Sequence, residues 1–372
     1  SRGSKLGQDL LATMLRRAAL TGAGAIGAAS VGTAFVYRPK PWTNPPRDPL
    51  SERADEEEGL LMKASRVLTF VGGTASFSLL MHVLNSFELK DDDHYRKFLD
   101  SVTSRPEGVP LLTVSNHTSP LDDPGVLIGM LPASVTIRPK FMRWSICAQE
   151  ICFKWTVAQT GFGLAKVMPI ARGDGIDQRL LLNFYRRMLT GGWCHIFPGG
   201  HCDQDGPLGG RPPGPNRDKH GGLKWGVGKM IAHAPVAPTV IPLYHTGMAN
   251  LVPLNPFTRK ILHVVPRFGH KVTARAGAEI RFDDLLEEHV RLHGSLRKLA
   301  LSGGEGDNSS SRGVLARGAE GDILWRSTRE ERLLYSRITS RVEQALLVLE
   351  AEAKRELGED FPELPEEPAA ML

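Results

Sequence analysis

His117 and Asp122 stand five residues apart in the stretch Val114-Ser115-Asn116-His117-Thr118-Ser119-Pro120-Leu121-Asp122-Asp123-Pro124. The apolar run Pro110 to Val114 reads as a buried strand, and the run Gly125 to Leu131 reads as a helix. The histidine therefore falls at a strand-to-helix crossing, the edge of an α/β sheet where ligands bind. Across one tight turn the carboxylate reaches one ring nitrogen. The other nitrogen is then free to take a proton from a hydroxyl, which is general-base chemistry. A plainer reading competes with this one. Ser119, Pro120 and Asp122 also make a helix start: an N-cap, an N1 proline and a capping acid. On these residues alone the two readings of Asp122 are equally supported. Asp123 is assigned to the helix N-terminus, where negative charge is favoured. Asn116 is a candidate for orienting the turn or donating to a developing oxyanion.

Arg172 follows the apolar run Lys166–Ala171 and precedes Gly173. At a strand's carboxyl end, a guanidinium can hold a phosphate in bidentate fashion. Lys224, leading a helix-like run, is a weaker phosphate candidate. Asp203-Gln204-Asp205-Gly206 invites a calcium-loop reading, but the twelfth position from Asp203 is Gly214, where a bidentate glutamate is required. The four cysteines, 147, 152, 194 and 202, form no C-x-x-C pair and are read as reduced core or near-site thiols. Gly226 and Gly228 lack the preceding strand of a nucleotide loop. No metal-ligand or cofactor-binding pattern is present, and Tyr244-His245 suggests a packed histidine.

These groups need a sheet to hold them. Candidate strands are Leu111–Ser115, Lys166–Ala171, Cys194–Phe197, Pro238–His245, Ile261–Val265 and Val272–Ala274. Helix-like runs are Pro124–Leu131, Asp177–Leu189 and Leu223–His233. The alternation predicts an α/β fold, a mixed and largely parallel sheet flanked by helices. Leu334, Ile338, Val342, Ala345 and Leu349 recur at helical spacing, which predicts a C-terminal amphipathic helix from about Thr328 to Leu357. Gly209 to Gly222 must be a surface loop, and Ser302 to Gly321 is low-complexity. The expected organisation is an N-terminal extension over 1–57, a main domain over 58–300, a linker over 301–321 and a C-terminal helix and tail over 322–372.

Ala18 to Tyr37 is twenty residues without charge, between Arg16-Arg17 and Arg38. That length spans a hydrocarbon core, and its small residues suit close helix packing. It is expected to anchor the chain in a membrane, against the alternative of an uncleaved targeting segment. The first fifty residues, with seven Lys/Arg and two acids, resemble a mitochondrial presequence in charge. Pro39 to Arg53 reads as an extended linker. Val67 to Met81, uncharged but short for a crossing, is expected to be a core or interfacial helix. The 372 residues carry a net charge of +5 with 41% hydrophobic and 23% charged residues. That is ordinary globular composition, compatible with an anionic lipid surface, and nothing resembles a nucleic-acid module.

The NHTSPLDDP stretch resembles the first motif of the glycerolipid acyltransferases, the H-x-x-x-x-D family, and its double aspartate and proline resemble the tafazzin branch. MRWSICAQEICF (142–153), GLAKVMPIARGDG (163–175), GGWCHIFPGG (191–200), LKWGVGK (223–229) and IPLYHTGM (241–248) match that branch in order. The resemblance runs from about Arg66 to Ala274. It implies that His117 is the base, Asp122 its orienting partner and Arg172 a phosphate contact. It also implies transfer of an acyl chain from a phosphatidylcholine-type donor, rather than acyl-CoA, to cardiolipin or its lyso form in a mitochondrial membrane, the inner one by expectation. One motif departs. Where relatives carry Phe-Pro-Glu-Gly and a basic or polar residue, this chain has Phe197-Pro198-Gly199-Gly200-His201. Gly199 and Gly200 leave room and backbone amides for a head group, with His201 or Asp203 taking the polar contact. The alternative is a weakly active or inactive lipid-binding subunit of a larger mitochondrial membrane complex.

Overall fold

Leu111–Ser115 (β2) is buried at every position, which requires cover on both faces and a neighbour on each side. In the computed structural model, which describes residues 60–204, 222–255, 257–258, 260–263, 265–296, 316–317, 323–324 and 327–358, both neighbours run parallel to it. Trp193–Ile196 (β5) lies on one side and Thr239–Thr246 (β6) on the other. Beyond β6 come Lys271–Ala276 (β7), antiparallel to it, and then Ser86–Leu89 (β1), parallel to β7. On the far side, Trp144 bridges Cys194 of β5 and leads into Ser145–Ala148 (β3), itself parallel to Val167–Ile170 (β4). The result is a mixed, largely parallel sheet, and β2, β3, β4, β5 and β6 all end on one edge.

Alternation along β2 divides the core in two. Leu112 and Val114 face a cluster built from Arg179–Leu189 (α5), Gly226–Ala232 (α6) and Arg329–Glu356 (α8). Leu111 faces the other cluster, which holds Phe98 of Asp93–Thr103 (α2), Leu127 of Asp122–Met130 (α3) and Phe70 and Met81 of the first helix. That first helix, Leu60–Ser78 (α1), continues through a π-helical turn, Leu79–Val83. Together they form a 24-residue apolar element, longer than the expected 67–81. Its outer face exposes Leu61, Leu68 and Val71.

Helix α8 starts where its periodicity predicts. The Thr328 hydroxyl accepts from Glu331 N and the Glu331 carboxylate accepts from Thr328 N, a complete capping box. Tyr335, Ile338, Val342 and Leu346 are wholly buried, so the helix is part of the main core. Gly228 of α6 permits the closest approach, because a Cβ there would lie 2.3 Å from the Tyr335 carbonyl oxygen.

Several expectations need correction. Ile261–Val265 forms no strand among its described residues: Ile261 makes a single bridge to Leu254, and Ile261, Leu262 and Val265 stay exposed, so this apolar run has no sheet edge to join. Strands β1 and β3, and helices α2, Thr156–Leu164 (α4) and Asp283–His293 (α7), lie outside the elements expected above. Cys147 and Cys152 are not thiols but a disulfide. The single helical turn after β3 brings their Cα atoms to 6.1 Å, within bonding range. The segments 18–37, 39–53, 209–221 and 302–315 lie outside the described residues.

Shortening Ile338 should remove wholly buried methyl groups from the α8–α6 seam. Ile338→Ala is expected to lower unfolding free energy by about 2–5 kcal/mol in a urea titration. A change below about 1 kcal/mol would show that α8 is not integral to the core.

Candidate active site

The turn after β2 is shaped by one carboxylate oxygen. Asp122 Oδ2 accepts from Thr118 N at 2.6 Å and Ser119 N at 2.9 Å, and lies 2.9 Å from His117 Nδ1. The helix-start reading is not met: the helix begins at Asp122 itself, with Leu121 as its N-cap and no side-chain cap bond, and the Ser119 hydroxyl accepts from Leu121 N at 3.3 Å. The Asp122 carboxylate instead shapes the turn ahead of the helix, and the same oxygen holds the imidazole. The Asp122 side chain is 1% exposed and that of His117 20%, so the pair lies just beneath an opening.

Asn116 ties this turn to the next strand. Its Nδ2 donates to His245 O at 2.8 Å and its Oδ1 accepts from His245 N at 3.1 Å. The side-chain amide thus acts as a splice between β2 and β6, a positioning arrangement. The His245 ring is buried, with Nε2 3.2 Å from Asn116 O and 3.5 Å from Asp122 Oδ2.

The loop after β5 covers the histidine. Phe197 stacks face to face on its ring at 4.0 Å between centroids. Asp203 N donates to His117 O at 2.7 Å, and Gln204 Nε2 donates to Thr118 O at 2.6 Å. Between those anchors, Cys202 Sγ lies 3.1 Å from His117 Nε2. Gly200 holds φ +76°, and a Cβ on it would sit 2.7 Å from Lys224 Nζ, so the Lys224 side chain lies along this loop. A Cβ on Gly199 would meet nothing within 4 Å. His201 is half-buried on the same loop.

Arg172 follows β4 at the same sheet edge but is exposed, with Nε 3.4 Å from Glu150 Oε1. Its ion pair is with Glu150 and not with the His117 turn. Asp123 departs from its expected role at the helix N-terminus. It forms a buried ion pair with Arg143, whose Nε donates to Oδ1 at 2.6 Å, and its own backbone is not helical. Arg143 also donates to Ala165 O at 3.1 Å, locking the turn to the segment that enters β4.

Sequence reasoning missed the polar floor beneath the site. Thr113 Oγ1 lies 2.8 Å from His195 Nδ1 and accepts from Trp193 Nε1, also at 2.8 Å, while Ser115 Oγ lies 3.4 Å from His195 Nε2. Thr113 and Ser115 alternate with Leu112 and Val114, and that polar-apolar alternation inside a buried strand was the available signal. Arg143, Phe197 and Gln204 gave none, because their partners are far away in the chain.

Electrostatics separate the three histidines. Burial opposes charge on His117, but hydrogen bonds to Asp122 and Cys202, with their charges, outweigh it and raise its pKa to about 10. Burial pushes His195 down to about 4, against the pull of Asp123. Burial also lowers His245, against the pull of Asp122. Asp123 is held below the ordinary range: burial works against its charge, and Arg143 overcomes that. An imidazole ¹⁵N titration should therefore find one ring, lost in His117→Ala, still charged at about pH 8, and one, lost in His195→Ala, already neutral at about pH 6. By linkage, the stability His117 contributes is complete below its ordinary 6.5 and disappears as pH rises through about 10. All rings titrating together near 6.5 would contradict this electrostatic assignment.

Comparison with known proteins adds a family. Residues 99–246 match the family described as Acyltransferase. The chain is 37% identical over 185 residues to an N-acylphosphatidylethanolamine synthase of Arabidopsis thaliana, covering 50% of this chain and 61% of the relative. It is 34% identical over 191 residues to a tafazzin of Drosophila melanogaster, covering 51% of this chain and 45% of the relative. A Dictyostelium discoideum tafazzin is 32% identical over 185 residues, covering 49% and 58%. The chain thus spans about half the length of these curated relatives.

Proposed function

We propose, starting from the premise that this chain is a tafazzin-like member of the glycerolipid acyltransferase family, that it moves an acyl chain from one phospholipid to the free hydroxyl of a lysophospholipid. In this reading the neutral form of His117, a minor fraction below about pH 10, takes the proton of the acceptor hydroxyl at Nε2, and the oxygen attacks an acyl ester carbonyl beside it. Asp122 keeps Nδ1 protonated and stabilises the ring when charged. The observation that carries the reading is the 2.9 Å His117 Nδ1–Asp122 Oδ2 contact at the carboxyl edge of the sheet. Asn116 splices β2 to β6, and Lys224, lying along the Gly200 loop, is the cation nearest the phosphate of a bound lipid. Arg172 is the outer phosphate contact, exchanging Glu150 for the head group. The exposed apolar face of α1, with Trp155, Val157 and Phe162 on and beside the adjoining α4, favours docking in a lipid surface. Cardiolipin or lysocardiolipin as acceptor, and a mitochondrial membrane as location, follow from the tafazzin resemblance.

A second reading has its own support in the Arabidopsis relative, whose name specifies an N-acyl product. There the acceptor is the amine of phosphatidylethanolamine, and the same base removes its proton.

Purified protein in vesicles of acyl-labelled phosphatidylcholine, given lysocardiolipin, should move label to cardiolipin, and His117→Ala should cut that rate by about 10²–10⁴. Label appearing instead on phosphatidylethanolamine nitrogen selects the second reading. Transfer only from acyl-CoA removes the phospholipid donor, and no transfer at all leaves a lipid-holding subunit.

Gly199 offers a gain-of-contact test. A side chain there meets open space, so Gly199→Glu should fold with an unchanged midpoint. Restoring the family carboxylate should lower KM for the acceptor by about tenfold, the worth of one charge-assisted hydrogen bond. An unaltered KM would place the acceptor away from position 199.

A further inference from the structure

We propose that Cys202 is a catalytic nucleophile, which takes the acyl chain from the donor lipid as a thioester and hands it to the acceptor hydroxyl. The inference rests on the acyl-transfer reading above and replaces its direct attack on the donor ester with two successive attacks through a thioester. Three side chains carry it. Cys202 Sγ lies 3.1 Å from His117 Nε2, and Nδ1 of the same ring lies 2.9 Å from Asp122 Oδ2. A nucleophile, a base and an orienting acid in hydrogen-bond sequence are the signature of covalent catalysis.

Neighbouring contacts hold the sulfur in register. The next residue, Asp203, donates its N–H to His117 O at 2.7 Å. Gln204 then donates to Thr118 O and Val252 O and accepts from Leu254 N, so the segment is stitched to the turn it covers. Among the four cysteines the arrangement is particular to this one. Cys147 and Cys152 are bonded to each other, and Cys194 is fully buried, with its thiol pushed upward by burial. Cys202 is partly exposed and faces the base. The ring that receives the thiol proton is the neutral form of His117, with Nδ1 committed to Asp122 and Nε2 turned to the sulfur.

The steps balance without any further reagent. In the first half His117 Nε2 takes the Cys202 proton, sulfur bonds to the acyl carbonyl carbon, and the carbon–oxygen bond to the donor glycerol breaks. That leaving oxygen receives the proton from His117 and departs as a lysophospholipid. In the second half His117 takes the proton of the acceptor hydroxyl, whose oxygen bonds to the carbonyl carbon. The carbon–sulfur bond then breaks, and sulfur recovers the proton.

The test is to look for the adduct. Wild-type protein in phosphatidylcholine vesicles, without acceptor, should gain the mass of one acyl group. Peptide mapping should place it on Cys202, and neutral hydroxylamine should remove it. With p-nitrophenyl hexanoate the same protein should release a stoichiometric burst of nitrophenolate. Both signals should vanish in Cys202→Ala, with transacylation reduced by about a hundredfold or more. Should that variant not fold, adduct mapping on wild type decides alone. Transfer by wild type without any Cys202 adduct, or Cys202→Ala working within about twofold of wild type, overturns the nucleophile and leaves acyl transfer standing. A Cys202 adduct from the nitrophenyl ester with no transfer to any lipid hydroxyl supports the nucleophile and overturns the function proposed above.

Discussion

One oxygen atom holds the turn after β2 together. Asp122 Oδ2 gathers the Thr118 and Ser119 amides and the His117 imidazole, in a site where the carboxylate is almost wholly buried. Burying a charge is costly unless several donors meet it, and here the donors come from the backbone it shapes. The same bonds that make the charge tolerable also determine how the ring points. Losing this carboxylate would leave two buried amides without their acceptor and an imidazole free to rotate. Base orientation and loop conformation are thus a single structural fact, and a purely structural reading of Asp122 cannot be separated from a chemical one.

What could be read from the chain follows sequence distance. His117 and Asp122 are five residues apart, so local stereochemistry alone limits where their side chains meet. Helix α8 was equally legible, since Leu334, Ile338, Val342 and Leu349 repeat along one face. Asp123 was misassigned because its partner, Arg143, lies twenty residues away across the packing of β2 against the turn before β3. The disulfide breaks that rule: Cys147 and Cys152 are also five residues apart, and it is the helical turn after β3, not the spacing, that brings the two sulfurs together. Ile261–Val265 shows the converse error. Apolar and β-branched residues suggest a strand, but a strand also needs an open edge, and the neighbouring strand β7 is already flanked by β6 and β1.

The polar floor under the turn explains how a histidine-rich site keeps its members distinct. His195 and His245 are buried against hydroxyl and backbone groups, and loss of water lowers the pKa of both. His117 lies closer to the Asp122 carboxylate than His245 does, 2.9 Å against 3.5 Å, and is the one of the three that is partly exposed. The pKa separation therefore arises from placement, with identical chemistry in each ring. Arg143 contributes by pairing with Asp123, the carboxylate whose charge pulls on His195.

The departures of this chain from its resembled motif meet at one point in space. Position 199 lacks the family carboxylate and opens into space, while three residues later a sulfur fills the slot beside His117 Nε2. Because Nδ1 is committed to Asp122, the ring has one nitrogen with which to move protons. An acceptor hydroxyl cannot use that nitrogen while a thiol occupies it. Acylation resolves the conflict, since a thioester sulfur has no proton to give and leaves Nε2 to the next hydroxyl. Occupancy of a single nitrogen thereby sets an order, donor first and acceptor second, and neither lipid need wait in the site for the other.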